Sequence, residues 1–402
     1  MFSNLKSIKI KKEGLFTTIF LLIFVVVYSY FINFYGMGSD ISNWRYYIFA
    51  GVTLFSFFVF LLKNRRNVKN TEGKEIKYII LTSIVFFLVS LYKCNQVGVK
   101  LPFRFFVQTS LFLLPCLYAY TLKNTLSFKN IIFIMKAITI ITIIFYFLEP
   151  KHPLSSFFDI NNYLNISLLH SKSFTESHNY FDTFFQLFLF FNYFDLKVKD
   201  QMTKKTLKKF LVLTLIFTIM SFKRLGLLYT VFILISKKII TYDGKSKIHN
   251  LVFAGCFTVL TVVYVNILQG NIFNLSYDQL FNLTSGRNWI LSLWAKNGYM
   301  SYGYGSSMLF IGKYLEMDLP QIYLELNIVS LFIFIYSFFK LANNKIYPIL
   351  IIMYVMLNML TSSSLPWSIG WIVMFLNIMC ITSDKTKKEY ESFVSDEAIT
   401  IG

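Results

Sequence analysis

Runs of Phe, Ile, Leu and Val recur along this chain, each roughly 17–20 residues long, close to what a helix needs to cross ~30 Å of hydrocarbon. Polarity inside them, as in "LLIFVVVYSY" and "LVLTLIFTIM", does not alternate at every second residue. That excludes the strands of a membrane barrel. In lipid the backbone must then satisfy its own polar groups as helix. The pattern predicts an all-α, polytopic integral membrane protein with about twelve transmembrane helices. They fall near 14–33, 46–62, 78–92, 105–122, 131–148, 180–194, 210–221, 225–240, 250–268, 321–339, 347–361 and 367–382. The seventh and eighth are short and meet at "SFKR", which reads as a tight helical hairpin. Residues 1–382 read as a single polytopic membrane domain and 383–402 as a cytoplasmic tail.

Composition and charge refine this picture. Hydrophobic residues make up 55% and charged residues 15%, against about a quarter charged in soluble domains. A net charge of +19 would suggest a nucleic-acid partner in a soluble protein. Here Lys and Arg gather between the apolar runs, so the charge is read as topology and nucleic acid is excluded. With the N-terminus inside, 27 of the 39 Lys and Arg lie in inside segments and 11 outside, Lys136 sitting within the fifth span. That asymmetry predicts both termini in the cytoplasm. Cys94, Cys116, Cys256 and Cys380 are scattered, with neither metal-ligand spacing nor a disulfide framework. The first apolar segment is long and other segments follow it, so it is expected to persist as a helix rather than be cleaved as a signal peptide.

Two outside segments exceed simple turns: roughly 149–179, and a larger one at 269–320 between the ninth and tenth spans. Loops of this length are usually functional or disordered. Both are rich in Tyr, Phe and Leu, unlike disordered chain, and are expected to fold onto the membrane surface.

The outside face carries the candidate chemistry. Arg287 opens "RNWILSLWAK" in the larger loop, Lys223 and Arg224 sit between the two short spans, and Arg104 lies just above the fourth span. Arginine's planar fork holds two phosphate oxygens at once, which suits a lipid-linked diphosphate. The plainer readings are an interfacial anchor for Arg287 and snorkelling caps for the Lys223–Arg224 pair. "GYMSYGYGSS" brings Gly303, Tyr304 and Gly305, where glycine permits close backbone approach and tyrosine offers a face to a sugar ring; a plain turn cluster is the alternative. Asp318, Glu316 and His178 are the candidate bases, in that order, against the reading that they are ordinary loop and interface polar groups. Glu325, read as lying inside the membrane, needs a partner; Arg224 and Lys136 are both candidates. No P-loop, dinucleotide turn, HExxH or GxSxG is present, so neither a cofactor nor a bound metal is expected.

This arrangement resembles the Wzy-type O-antigen and capsule polymerases, kin to the O-antigen ligases. "TSGRNWILSLW" is similar to the family's loop element of "SGR" followed by an aromatic, and "YGYG" to its G-x-G element. Gly298 and Gly303 follow Arg287 after 10 and 15 intervening residues, also in the manner of such polymerases. The "SFKR" hairpin resembles the family's arginine-bearing one, with Arg224 as the second basic residue. The pattern covers roughly 180–340. In "LEMDLPQIYLELN" the sequence departs from it: Glu316 stands where a histidine is expected and Asn327 where a glycine is. Loss of that histidine weakens the ligase reading and leaves the base open. The resemblance implies polymerisation of undecaprenyl-diphosphate-linked oligosaccharide repeat units on the outer face of a bacterial cytoplasmic membrane. Its partners would be membrane lipids and a chain-length regulator. Arg287 and Arg224 would bind diphosphate, with Lys223 and Arg104 in support. A lipid-linked oligosaccharide flippase and another polyprenyl-dependent glycosyltransferase are the competing readings.

Overall fold

The computed structural model describes residues 12–35, 40–63, 74–149, 159, 161–162, 175–239, 242, 244–272, 276–284, 286–313 and 315–392. Among these the chain is helical apart from its turns and one isolated β-bridge, Lys245 to Lys345. Among the described residues, six helices are long and apolar enough to cross a membrane. They lie in α1 (Lys12–Tyr35), α2 (Asp40–Lys63), α3 (Lys74–Val97), α4 (Phe103–Thr125), α5 (Phe128–Phe147) and α9 (Asn250–Leu268). They correspond to the first five expected spans and the ninth.

The other six expected spans meet shorter or more polar helices. α6 (His178–Lys197), α7 (Gln201–Met220) and α8 (Arg224–Ile239) carry charged or strongly polar residues at their ends. α14 (Ile328–Leu341), α15 (Ile346–Thr361) and α16 (Ser368–Thr382) are apolar but only 14, 16 and 15 residues long, or about 21–24 Å at 1.5 Å per residue. The tenth expected span, 321–339, is not continuous. It breaks at Leu326–Asn327, between α13 (Asp318–Glu325) and α14. Asn327 is the reason: its side chain caps α14 by accepting from the Ser330 amide at 2.7 Å, ending one helix and starting another. Of the segment 149–179, only residues 149, 159, 161–162 and 175–179 are among those described. The larger loop contains α10 (Tyr277–Thr284), α11 (Arg287–Lys296) and α12 (Ser307–Phe310).

The chain divides into two compact units, each built from separate stretches. The first comprises residues 1–70, 114–242 and 367–402. Its axis is α6, where Phe181, Phe184, Phe185, Phe188, Phe191 and Phe194 are all fully buried. A helix apolar all round belongs at a core, and α5, α7 and α16 pack on it. Polar groups inside this core pair with one another. Tyr180 donates to Asn33 Oδ1 at 2.6 Å, Asn33 Nδ2 donates to the Phe145 carbonyl at 2.8 Å, and the Trp367 indole donates to Thr183. The connection Ser221–Lys223 joins α7 to α8, with Phe222 at φ +50°. The Ser177 amide, just before α6, donates to the Ser221 carbonyl at 3.1 Å. Of the expected tail, α17 (Asp384–Ser392) packs back: Glu389 accepts from the Phe128 amide at 2.6 Å, and Tyr390 lies against Phe128 and Phe194. Residues 393–402 lie outside the described set.

The second unit comprises residues 71–113 and 243–366. Here α14 packs against α3 and α9, while α13 packs against α9, α14 and α15. Phe334 stacks on Phe86 with centroids 5.9 Å apart and meets the edge of Phe112 at 5.4 Å.

Gly226 in α8 gives a test of the first core. A Cβ there would fall 1.9 Å from Cζ of Phe181, whose ring is fully buried. Gly226→Ala should therefore cost about 1–3 kcal/mol by overpacking. Gly255→Ala, in α9 with nothing within 4 Å of the new methyl, should be neutral or stabilise by up to about 1 kcal/mol. Thermal unfolding of the purified protein in micelles checks this; equal midpoints for the two variants would contradict the packing.

Candidate functional site

The short helix α13 organises the second unit. Asp318 at its start and Glu325 at its end are both buried, at 2% and 0% exposure. Seven residues apart, they stand about two turns from one another along one side of the helix. Asp318 Oδ2 accepts from the amides of Ser364 at 2.7 Å and Leu365 at 3.1 Å and from Ser364 Oγ at 3.2 Å; Oδ1 accepts from Ser363 Oγ at 3.0 Å. Glu325 Oε2 accepts from the Gly305 amide at 2.6 Å and from Gln321 Nε2 at 3.1 Å, while Oε1 accepts from the Ser307 amide at 2.8 Å. Each carboxylate thus satisfies backbone donors that leave regular structure inside an apolar protein, where an unmade bond costs about 1–3 kcal/mol. α13 is not part of any candidate span. Burial pushes the Asp318 carboxyl up to about 6 and that of Glu325 up to about 7, with the hydrogen bonds pulling the other way.

Gly303, Tyr304 and Gly305 are buried. The Tyr304 amide donates to Ser90 Oγ at 3.0 Å and the Cys94 thiol donates to the Tyr302 carbonyl at 2.8 Å, so the loop is sewn to α3. The Tyr304 ring is 1% exposed and edge-on to Phe86 at 5.0 Å. Its hydroxyl is buried without a hydrogen-bond partner, within the electrostatic reach of Asp318 and Glu325. The glycines are needed for shape. Gly303 has φ +108° and a Cβ there would meet the Ser90 Cα at 2.9 Å; Gly305 has φ +83° and lies over the Arg104 carbonyl. Arg104, half-buried in the first turn of α4, therefore meets the glycine loop through its backbone.

Arg287 begins α11 directly after Gly286, which is left-handed at φ +81°. Its guanidinium is half-buried; Nη1 donates to the Thr284 carbonyl at 3.1 Å, and Nε is buried without an acceptor. Trp294 on the same helix is fully buried in a cluster with Leu268, Ile290, Leu291, Leu315 and Met317, which fixes the helix against α9. Trp289 is turned outward, with the Lys313 ammonium 4.4 Å above its ring. Glu316 is exposed.

The remaining candidates belong to the first unit. Lys223 Nζ pairs with Asp182 at 3.1 Å and lies 5.9 Å from the Phe181 ring. Arg224 is exposed at the first turn of α8. His178 is the first residue of α6, and its side chain lies outside the described set. The structure therefore groups Gly303, Tyr304, Gly305, Arg104 and Asp318 around α13. Arg287 and Glu316 stand in the same unit, and Lys223 with Arg224 in the other. Sequence reasoning missed Ser90 and Cys94, ordinary residues in an apolar run. It also missed Lys93, whose charge acts on Glu325. It flagged Glu325 as needing partners and found the wrong type: backbone amides and Gln321 hold it.

The glycine loop supplies a second test. Gly303→Ala forces both a disfavoured φ and a clash with the α3 backbone, costing roughly 3 kcal/mol or more. Gly298→Ala, at φ +65° with nothing within 4 Å, should cost roughly 1 kcal/mol. Unfolding midpoints of the two variants check the ranking; a milder Gly303→Ala would remove the close approach to Ser90.

Comparison of the chain with protein-family models, with curated proteins and with solved structures finds no match in any of the three.

Proposed function

We propose that this protein is a membrane polysaccharide polymerase, joining undecaprenyl-diphosphate-linked oligosaccharide repeat units of an O-antigen or capsule on the outer face of a bacterial cytoplasmic membrane. The observation that carries this reading is Arg287. It opens a tryptophan-anchored helix, spends one Nη1–H on a backbone carbonyl, and holds a buried Nε without an acceptor on a half-buried guanidinium. Two phosphate oxygens fit that fork. Lys313 and Lys296 add positive charge around the same helix.

In this reaction the bond between the sugar's anomeric carbon and the diphosphate oxygen breaks. The acceptor hydroxyl oxygen of a second lipid-linked unit bonds to that carbon, and its proton passes to a base. The lipid diphosphate leaves carrying the electron pair, and Arg287, with Arg104 of the same unit, stabilises the charge that builds on it. Within the unit that holds Arg287, Asp318 and Glu316 are the base candidates. Glu316 is exposed and accessible without rearrangement, whereas Asp318 already accepts four hydrogen bonds.

A second reading, a lipid-linked oligosaccharide flippase, is favoured by the broken helix at Leu326–Asn327, since discontinuous helices are a habit of transporters. One experiment separates the two. Arg287→Ala should abolish polymer while single lipid-linked units still form and accumulate on the outer face. Arg287→Lys should recover only a minor part, because an ammonium cannot grip two oxygens in a plane. Polymer of normal length in Arg287→Ala rejects the polymerase assignment, and units trapped on the inner face favour the flippase.

A further inference from the structure

The loop Ser301–Ser307 is held by one carboxylate more than by any other group. Glu325 accepts from the amides of Gly305 and Ser307, and its backbone carbonyl accepts from the Ser301 hydroxyl. The chain breaks immediately after it, at Leu326–Asn327, and glycines at 303 and 305 with positive φ punctuate the loop. The grip is thus made by a side chain at a helix end, on a segment whose backbone turns easily.

We infer that Glu325 is a proton-binding site whose occupancy is linked to the seating of the 301–307 loop, the side chain taking up a proton as the loop closes over it and releasing one as the loop lifts. The geometry supplies the reason. Seated, the carboxyl is fully buried, and no cation is bonded to it. Lifted, it meets water. The charged and titratable groups acting on it are Lys93 from α3 and the Tyr304 hydroxyl from the loop itself. Asp318, two turns away on α13, acts on that same hydroxyl. Among the described residues α9, α14 and α15, all packed on α13, present no charged side chain to it.

Linkage fixes the sign. Seated, Glu325 holds its proton up to about pH 7; exposed, it has the ordinary value of 4.5. The proton therefore favours the seated loop. That preference is complete below 4.5, is lost progressively as pH rises to about 7, and is constant above it.

The test is amide hydrogen exchange of the full chain in lipid nanodiscs, without substrate, read by mass spectrometry on peptides covering 301–307 and corrected for intrinsic exchange. Protection should fall at least about tenfold between pH 5 and pH 7, while α9 amides stay constant. Glu325→Gln should flatten the profile, and Asp318→Asn should keep it. Should Glu325→Gln disturb α9 protection as well, Lys93→Met serves instead: removing that positive charge should move the transition to higher pH. A flat or rising profile in the unaltered protein overturns the inference. So does a slope surviving in a folded Glu325→Gln, a slope lost only in Asp318→Asn, or a transition that Lys93→Met leaves in place. Because no substrate is present, this outcome is independent of whether the protein is a polymerase.

Discussion

A backbone amide that leaves helical pairing inside an apolar protein must find an acceptor, and the second unit is arranged around that need. Its irregular stretches, 301–307 and 363–365, each present amides to the interior. Both are answered by the two ends of one eight-residue helix. α13 is therefore less a membrane span than a strut with a carboxyl group at each tip. Its intervening residues Leu319 to Ile322 are buried, so the strut cannot roll without exposing apolar surface. What the motif glycines, Ser90 and Tyr304 can do follows from where those two carboxylates stand.

The same bonds carry a cost that shapes the chemistry. A buried carboxylate is expensive to ionise, and three donors on Glu325 do not fully offset that expense. Both groups consequently titrate near neutrality rather than near 4. Groups in that range can exchange protons under physiological conditions, which is why a structural role and a protonic one coincide at Glu325. In the first unit one buried cluster is instead held by neutral partners. Asn33, Tyr180, Thr183 and Trp367 bond to one another, and the charged pair Lys223–Asp182 is only partly buried.

Much of the helical plan was legible in the sequence because length and hydropathy act locally. The first five spans and the ninth needed no tertiary information. The tenth did. Its apolar run continues through Leu326, and only the capping side chain of Asn327 and the pull of Glu325 on a distant loop divide it. Among candidate residues, Arg287 is conspicuous in sequence because an arginine follows a glycine in an aromatic loop. Gly303 and Gly305 were legible as backbone-permissive positions, but what they accommodate was not: Ser90 and Arg104 lie some two hundred residues earlier, and nothing in an apolar helix marks the side that will be touched. Asp318 shows the opposite difficulty. A carboxylate after a turn is equally suited by sequence to solvent, to catalysis or to capping, and only the positions of Ser363, Ser364 and Leu365 distinguish these.

The discontinuity of the second unit has a consequence for how the chain is made. α3 precedes the loop it grips by more than two hundred residues, as the Ser90–Tyr304 bond spans 214 positions. At roughly 5–20 residues per second of synthesis, α3 waits on the order of 10–40 seconds before that loop exists. During that interval Ser90, Lys93 and Cys94 have none of their final partners from the later segment. Synthesis of this protein thus includes a stage in which a polar stripe on an early helix stands without its final partners until the second half arrives.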